Sequence, residues 1–190
     1  MSTHAKLSPS SAHRWMRCPG SVQQSEGIPD TSSSYAEEGT RAHAIAQNAL
    51  DVFVETGSLA IIDQAYCDNI CPPDDDNPPI DPGYVEEYCL YVLGYCTKGA
   101  HLLVEQKVDY NDLVEDGFGT ADAIVVRKGI MHVIDLKFGK GLRVDADENE
   151  QAQLYAYGAL REVACIFPNI RKVVCHIHQP RLNQAIVTGK

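Results

Sequence analysis

Two Val- and Ile-rich runs, residues 121–126 and 130–136, separated by Lys128-Gly129, constrain the fold of this chain more than any other feature. β-Branched runs flanking a Gly-containing turn signal predict a β-hairpin. A two-residue loop at 128 and 129 fixes the register, so 126 pairs with 131, 124 with 133, and Asp122 stands opposite Asp135. Directly opposed residues have Cβ atoms roughly 4.5–5.5 Å apart, and like charges there repel. Something cationic is needed between them. Side chains alternate along a strand, so Lys137 shares the face of Asp135, and two acids and one ammonium converge.

That trio has a chemical reading. Two carboxylates beside a strand-end carbonyl, that of Leu136, are hard ligands suited to Mg²⁺ or Mn²⁺. Such an ion polarises a phosphoryl oxygen and lowers the pKa of a bound water. The Lys137 ammonium is placed to orient that water or to offset charge on the phosphate. The plainer alternative is a surface hairpin with solvated acids and an ordinary Asp135–Lys137 ion pair.

The runs Glu105-Gln106-Lys107-Val108, Gly119-Thr120-Ala121-Asp122-Ala123 and Val133-Ile134-Asp135-Leu136-Lys137-Phe138-Gly139 resemble the core of the PD-(D/E)XK nuclease superfamily. Within it they are similar to the RecB-like, lambda-exonuclease-like branch. A histidine in Glu38-Gly39-Thr40-Arg41-Ala42-His43 and a Gln-x-x-x-Tyr pattern in residues 149–160 match two further elements of that branch. The opening Leu7-Ser8-Pro9-Ser10-Ser11-Ala12 and the closing Gln179-Pro180-Arg181 look most like a phage and prophage group. The resemblance implies a metal-dependent DNA nuclease, an exonuclease by preference. Asp122, Asp135 and Lys137 would be catalytic, with His43 adding to the metal shell. Gln151 and Tyr155 would position the strand or the lysine; Gln153 and Tyr157 have the same spacing, but the trailing Gly158-Ala159-Leu160 favours the earlier pair. Position 47, where a glutamate often follows the histidine, is Gln.

The residues leave two assignments open. His43 lies beside an apolar stripe and is either a ligand or a partly buried core histidine, and Glu105 is either a third acid near the metal or a strand-surface charge. Some relatives hold an iron–sulfur cluster, but Cys18 is followed late in the chain only by Cys165 and Cys175, without a CxxC, so no cluster is expected.

The net charge of −10 opposes a polyanionic ligand. Its distribution answers part of that objection. Residues 1–96 hold 14 acids and 4 bases, whereas residues 97–190 hold 12 of each. The half with the candidate site is neutral. DNA affinity should therefore be modest and salt-sensitive, focused on Ser10, Arg14, Arg17, Arg41, Lys140, Arg143 and Arg181. By resemblance the partners are DNA and a recombination protein such as a single-strand annealing protein; an oligomer is compatible with the sequence. Rival readings are a catalytically inactive nuclease-fold module that binds DNA or assembles with others, and a structural zinc protein using Cys67, Cys71, His176 and His178.

A chain of 190 residues with 44% hydrophobic content suits one domain. No apolar run approaches membrane-spanning length and the N-terminus lacks an apolar signal core, so the expectation is a cytoplasmic protein without membrane contact, in the host cytoplasm if phage-encoded. Helices are expected from Ser8 to Arg17, from a Ser34 cap to Gly57, and from Asp81-Pro82 onward, with a polar serine-rich loop after the first and a Pro/Asp loop over 71–83. Strands follow at 102–110, the hairpin, and 171–178, with 148–164 helical and 185–187 as a final edge. Residues 1–100 thus form a mainly helical part and 101–190 a β-β-β-α-β core. The fold class is α/β (α+β), a central mixed sheet flanked by helices; the resemblance makes that core restriction-endonuclease-like.

Overall fold

The computed structural model describes residues 5–26, 28 and 33–182, together with the backbone of 184–189. Its centre is a five-stranded sheet in sequential order: β1 (His101–Asp109), β2 (Phe118–Arg127), β3 (Ile130–Leu136), β4 (Lys172–Gln179) and β5 (Gln184–Gly189). All neighbours are antiparallel except β3 and β4, which run parallel because helix α6 (Glu150–Ala164) carries the chain back between them. The mixed sheet flanked by helices is the fold class expected from the sequence.

The helical half precedes the sheet. A 3₁₀ turn at Pro9–Ser11 leads into α1 (Ala12–Arg17), followed by α2 (Gly20–Gln24), α3 (Ser34–Thr56), α4 (Gln64–Ile70) and α5 (Pro82–Leu93). Helix α3 is capped by Ser33 rather than Ser34: the Ser33 hydroxyl accepts from the Ala36 amide. A serine run offers adjacent caps of equal chemistry. Gly57 closes the helix in the left-handed conformation, φ 76°. Asp81 caps α5 ahead of proline in its first turn. Helix α2 falls in what reads as the serine-rich loop, part of which lies outside the described residues, and α4 carries no long apolar period.

Two layers of core flank the sheet. On one side Ala42, Ile45, Ala49 and Leu50 of α3 and Val85, Tyr88 and Cys89 of α5 pack on Ala123, Val125, Ile134 and Leu136. On the other, Tyr155, Ala159 and Val163 of α6 pack on Ile124, Val126, Met131 and Val133. Alternation holds along β3 and along most of β2. It fails at one row. Ala121 and Val108 belong to the α6 layer while Ala123 and Val104 belong to the other, although 121 and 123 have the same parity. The β1–β2 ladder pairs Val104 with Ala123 and Gln106 with Ala121, skipping Glu105 and Asp122 between them. Glu105 has φ 46°, the left-handed region that a non-glycine side chain seldom takes. Both strands therefore roll over at this row, freeing Glu105 and Asp122 from the alternating pattern.

Candidate metal and phosphate site

The β2–β3 ladder has the register expected of a two-residue loop, from Arg127–Ile130 to Ala123–Ile134. Paired residues stop there. Continuing the register sets Asp122 opposite Asp135, and β1 contributes Glu105 in the same row, so three carboxylates lie side by side on three neighbouring strands. Such a row is unstable without positive charge.

Two cations meet it. Lys137 Nζ donates to Asp135 Oδ1 (3.2 Å) and lies 2.9 Å from Oδ2; it also donates to Gln151 Oε1 at 2.9 Å. Gln151 Nε2 in turn donates to Tyr155 Oη (3.3 Å) and lies 3.4 Å from Asp135 Oδ1. One turn of α6 thus fixes the lysine through its glutamine. His43, from α3, places Nδ1 3.4 Å from Asp122 Oδ1 and Nε2 3.0 Å from the Leu136 carbonyl oxygen. The other Asp122 oxygen accepts from the Leu136 amide at 2.7 Å.

The electrostatics follow from these contacts. Burial works against a charged His43, but the Asp122 carboxylate overrides it and pushes the imidazole up to about 9. Asp122 is held below the usual carboxylate range: burial opposes this, and His43 outweighs burial. Asp135 shifts the other way, because burial and Asp122 outweigh the Lys137 ammonium. Burial, then the Asp122 charge, pushes Glu105 up to about 7. Burial lowers and Asp135 more strongly raises Lys137, which stays an ammonium.

Two clefts open onto this cluster and share His43 and Lys137. One, of about 660 Å³, is walled by Ser8, Pro9, Ser10, Thr40, Glu105, Gly119 and Thr120. The second, of about 580 Å³, runs past Tyr35, Phe138, Lys140 and Leu142. The N-terminal segment forms a wall of the first because Tyr110 Oη donates to the Leu7 carbonyl and Trp15 Nε1 to the Ser8 carbonyl. Gly119 is required there: a Cβ would come within 2.7 Å of Pro9 Cγ and 2.9 Å of Tyr155 Cε1. Thr40, Thr120 and Ser8 are cleft residues with no marker in the sequence, since lone hydroxyls carry no spacing signal.

A family model described as "Protein of unknown function (DUF2800)" matches residues 4–188. The chain belongs to this family. Within this DUF2800 domain the candidate residues divide clearly. Asp122, Asp135, Lys137, Gln151, Tyr155, His43, Glu105 and the Leu136 carbonyl are brought together, whereas Gln153 is exposed and Tyr157 donates to Asp112, away from the cluster. Ser10 and Lys140 line the clefts; Arg14 is exposed, and Arg17 and Arg143 pair at the surface with Glu150 and Asp145.

Two expected DNA contacts are engaged inside the fold instead. Arg41 donates to the carbonyls of Cys71, Pro72 and Pro78, fastening the Pro/Asp loop. Arg181 is only 10% exposed, pairs with Glu38 at 2.7 Å and stacks over Phe138. Both have unmet backbone or carboxylate partners nearby that outcompete a solvent-side role. Among the described residues, the group with metal-ligand spacing is His43, Glu105 and Asp122, whose ligand atoms lie within 4.8 Å of one another. The residues of the zinc reading do not converge: Cys71 points its thiol at the Arg41 carbonyl and His176 is tied to Tyr91. No helix of the described residues is long and apolar enough to cross a membrane.

Proposed function

We propose that this chain is a metal-dependent deoxyribonuclease of the PD-(D/E)XK type, acting from DNA ends. The observation that carries this is the Lys137 ammonium held between Asp135 and Gln151, beside Asp122, at the meeting of two clefts. A structural ion pair needs no such cleft.

The residues fit a Mg²⁺ or Mn²⁺ ion. Asp135 Oδ2 is enclosed and receives no hydrogen bond of good geometry even with the lysine 2.9 Å away, and His43, Glu105 and Asp122 already gather their ligand atoms. Asp122, Asp135, Glu105, the Leu136 carbonyl and His43 would hold the ion, His43 after losing one of the two N–H protons that its imidazolium directs at Asp122 and at the Leu136 carbonyl. Bound there, the ion would polarise a phosphoryl oxygen and acidify a water.

The protein's own groups do the rest. Gln151 and Asp135 hold the ammonium of Lys137 in one place, where it donates to the attacking water or to a non-bridging phosphate oxygen. Tyr155 holds the Gln151 amide so that its oxygen, not its nitrogen, faces the lysine. The hydroxyls of Ser8, Ser10 and Thr120 would donate to flanking phosphates, which suits a chain with few free arginines at this site. Water oxygen attacks phosphorus, the bond to the sugar oxygen breaks, and that oxygen leaves with a proton.

The test is digestion of end-labelled linear and closed circular DNA with Mn²⁺, Mg²⁺ or chelator. Linear DNA should shorten from its ends while circles persist, and Asp135→Asn or Lys137→Gln should each slow the reaction by about 10²–10³-fold, with thermal melts confirming folded variants. Activity that survives both substitutions, or that no divalent ion elicits, overturns the proposal.

A further inference from the structure

The far end of the sheet is the chemical opposite of the candidate site. Three segments meet there: 94–104, 123–134 and 163–179. None contains an Asp or Glu, yet together they carry Lys98, Arg127, Lys128, Arg171 and Lys172. The β2–β3 turn and the start of β4 are clamped together, because the Arg171 and Lys172 amides both donate to the Gly129 carbonyl, at 2.8 and 3.3 Å. None of the five cations makes an ion pair among the described residues, whereas Lys6, Arg17, Arg143, Arg161 and Arg181 all do. In a chain of net charge −10, an unneutralised basic pole stands out.

The pole also has a cavity. An open cavity of about 230 Å³ is lined by Gly99, His101, Arg127, Lys128, Phe167 and residues 168–170. The rings of His101 and Phe167 stand 4.8 Å apart at its edge, and Arg127 Nε is shut off from solvent with no hydrogen-bond partner. An aromatic wall beside an arginine with an unused donor, with Lys128 at the rim, is the composition that holds a nucleotide by stacking and by its phosphate.

We infer that this pole is a second polynucleotide-binding site, gripping the phosphate backbone of the same DNA strand at a distance from the cutting site. The identity of the polymer rests on the nuclease reading. The separation is set by β3: from Ile130 to Lys137 is about 23 Å at roughly 3.3 Å per residue, or about seven nucleotides at ~3.4 Å each. The arrangement resolves a difficulty of the acidic cleft, which attracts a dication but repels DNA. Affinity is supplied at the pole, chemistry at the carboxylates.

The experiment is fluorescence anisotropy of the full chain with a labelled single strand of about 20 nucleotides, long enough to span both sites, in EDTA and over a range of salt. Lys128→Gln/Lys172→Gln is compared with Lys6→Gln/Arg161→Gln, which removes two charges already paired. The pole variant should bind about tenfold more weakly, and its log affinity against log salt should flatten by about 1.4, or ~0.7 per lost phosphate contact; the control should match wild type. Equal affinity and slope in the two variants overturns the inference. So does a mononucleotide that competes as well as the oligonucleotide at equal phosphate concentration, since the site then belongs to a small molecule. Because binding is read without metal, the outcome is separate from the nuclease assay: loss of binding in the pole variant together with unchanged cleavage in Asp135→Asn would retain the pole and discard the nuclease.

Discussion

Two histidines on the same α3/α5 side of the sheet meet opposite fates. His43 sits among carboxylates and is pushed up to about 9; His176 sits among rings and is pushed down to about 3, by burial first and the neighbouring His132 second. His176 Nδ1 lies 2.9 Å from Tyr91 Oη and its Nε2 2.9 Å from His132 Nδ1, with Tyr95 donating to Tyr91. His178 stacks on Tyr91 at 4.7 Å and is likewise held down, to about 4, by burial. Ile134 and Leu136 face the α3/α5 layer, which carries His43 and partners His176, while Asp135 between them faces α6. Their immediate partners separate an imidazolium that balances acids from an imidazole that behaves as a flat polar filler. Burial is common to both; the nearest partners decide the charge.

The largest effect should come from Asp122→Asn, which removes the partner that charges His43. Nuclease activity should fall by about 10²–10³-fold or more. In metal-free protein, the His43 titration followed by NMR should move from about 9 toward the ordinary 6.5 while His176 stays neutral. A His43 titration that ignores the substitution would break the comparison, since Asp122 would then not be what charges it.

Next in size is Tyr91→Phe. The ring and its stacking survive, but His176 Nδ1 loses its partner in a buried setting, at a cost of about 1–3 kcal/mol in urea unfolding. Cleavage rate should not change, because Tyr91 touches none of the residues around Asp135. A loss of activity without loss of stability would mean that the aromatic network and the carboxylate row are coupled.

Much of this was legible in the sequence where the signal was local. The Lys128-Gly129 turn dictated the hairpin register, and the Gln151–Tyr155 spacing placed both side chains on the face of α6 that meets Lys137. Glu105 was left open for a physical reason: glycine is the usual marker of a left-handed residue, and here a glutamate takes that conformation in mid-strand. The engagement of Arg41 and Arg181 was invisible because their partners are 30 to 143 residues away. His176-x-His178 was visible as a pair but not as a network, since Tyr91 and Tyr95 reach it only when α5 docks on the sheet. The basic pole is dispersed over three segments whose charges look ordinary until the strand ends are aligned.

The smallest effect is the most specific, because the two histidines should bend the stability curve in opposite directions. A histidine raised in the folded state contributes fully below the unfolded value of 6.5 and loses that contribution as pH climbs through about 9. A histidine depressed in the folded state contributes fully above 6.5 and loses its contribution as pH falls toward about 3, because the unfolded chain takes up the proton first. In metal-free protein, the stability advantage of wild type over His43→Gln should therefore shrink between pH 6.5 and 9, and its advantage over His176→Gln should shrink between pH 6.5 and 4. For His176 the difference between wild type and variant is the right quantity, because Glu105, raised to about 7, tilts every curve in the acid range and cancels in that subtraction; His43 itself lowers Glu105, so its slope is read between pH 7 and 9, above the Glu105 titration. Chemical denaturation at closely spaced pH values measures both slopes. Two slopes of the same sign would mean that neighbouring charge does not distinguish these imidazoles, and the contrast between the carboxylate row and the aromatic layer would lose its physical basis.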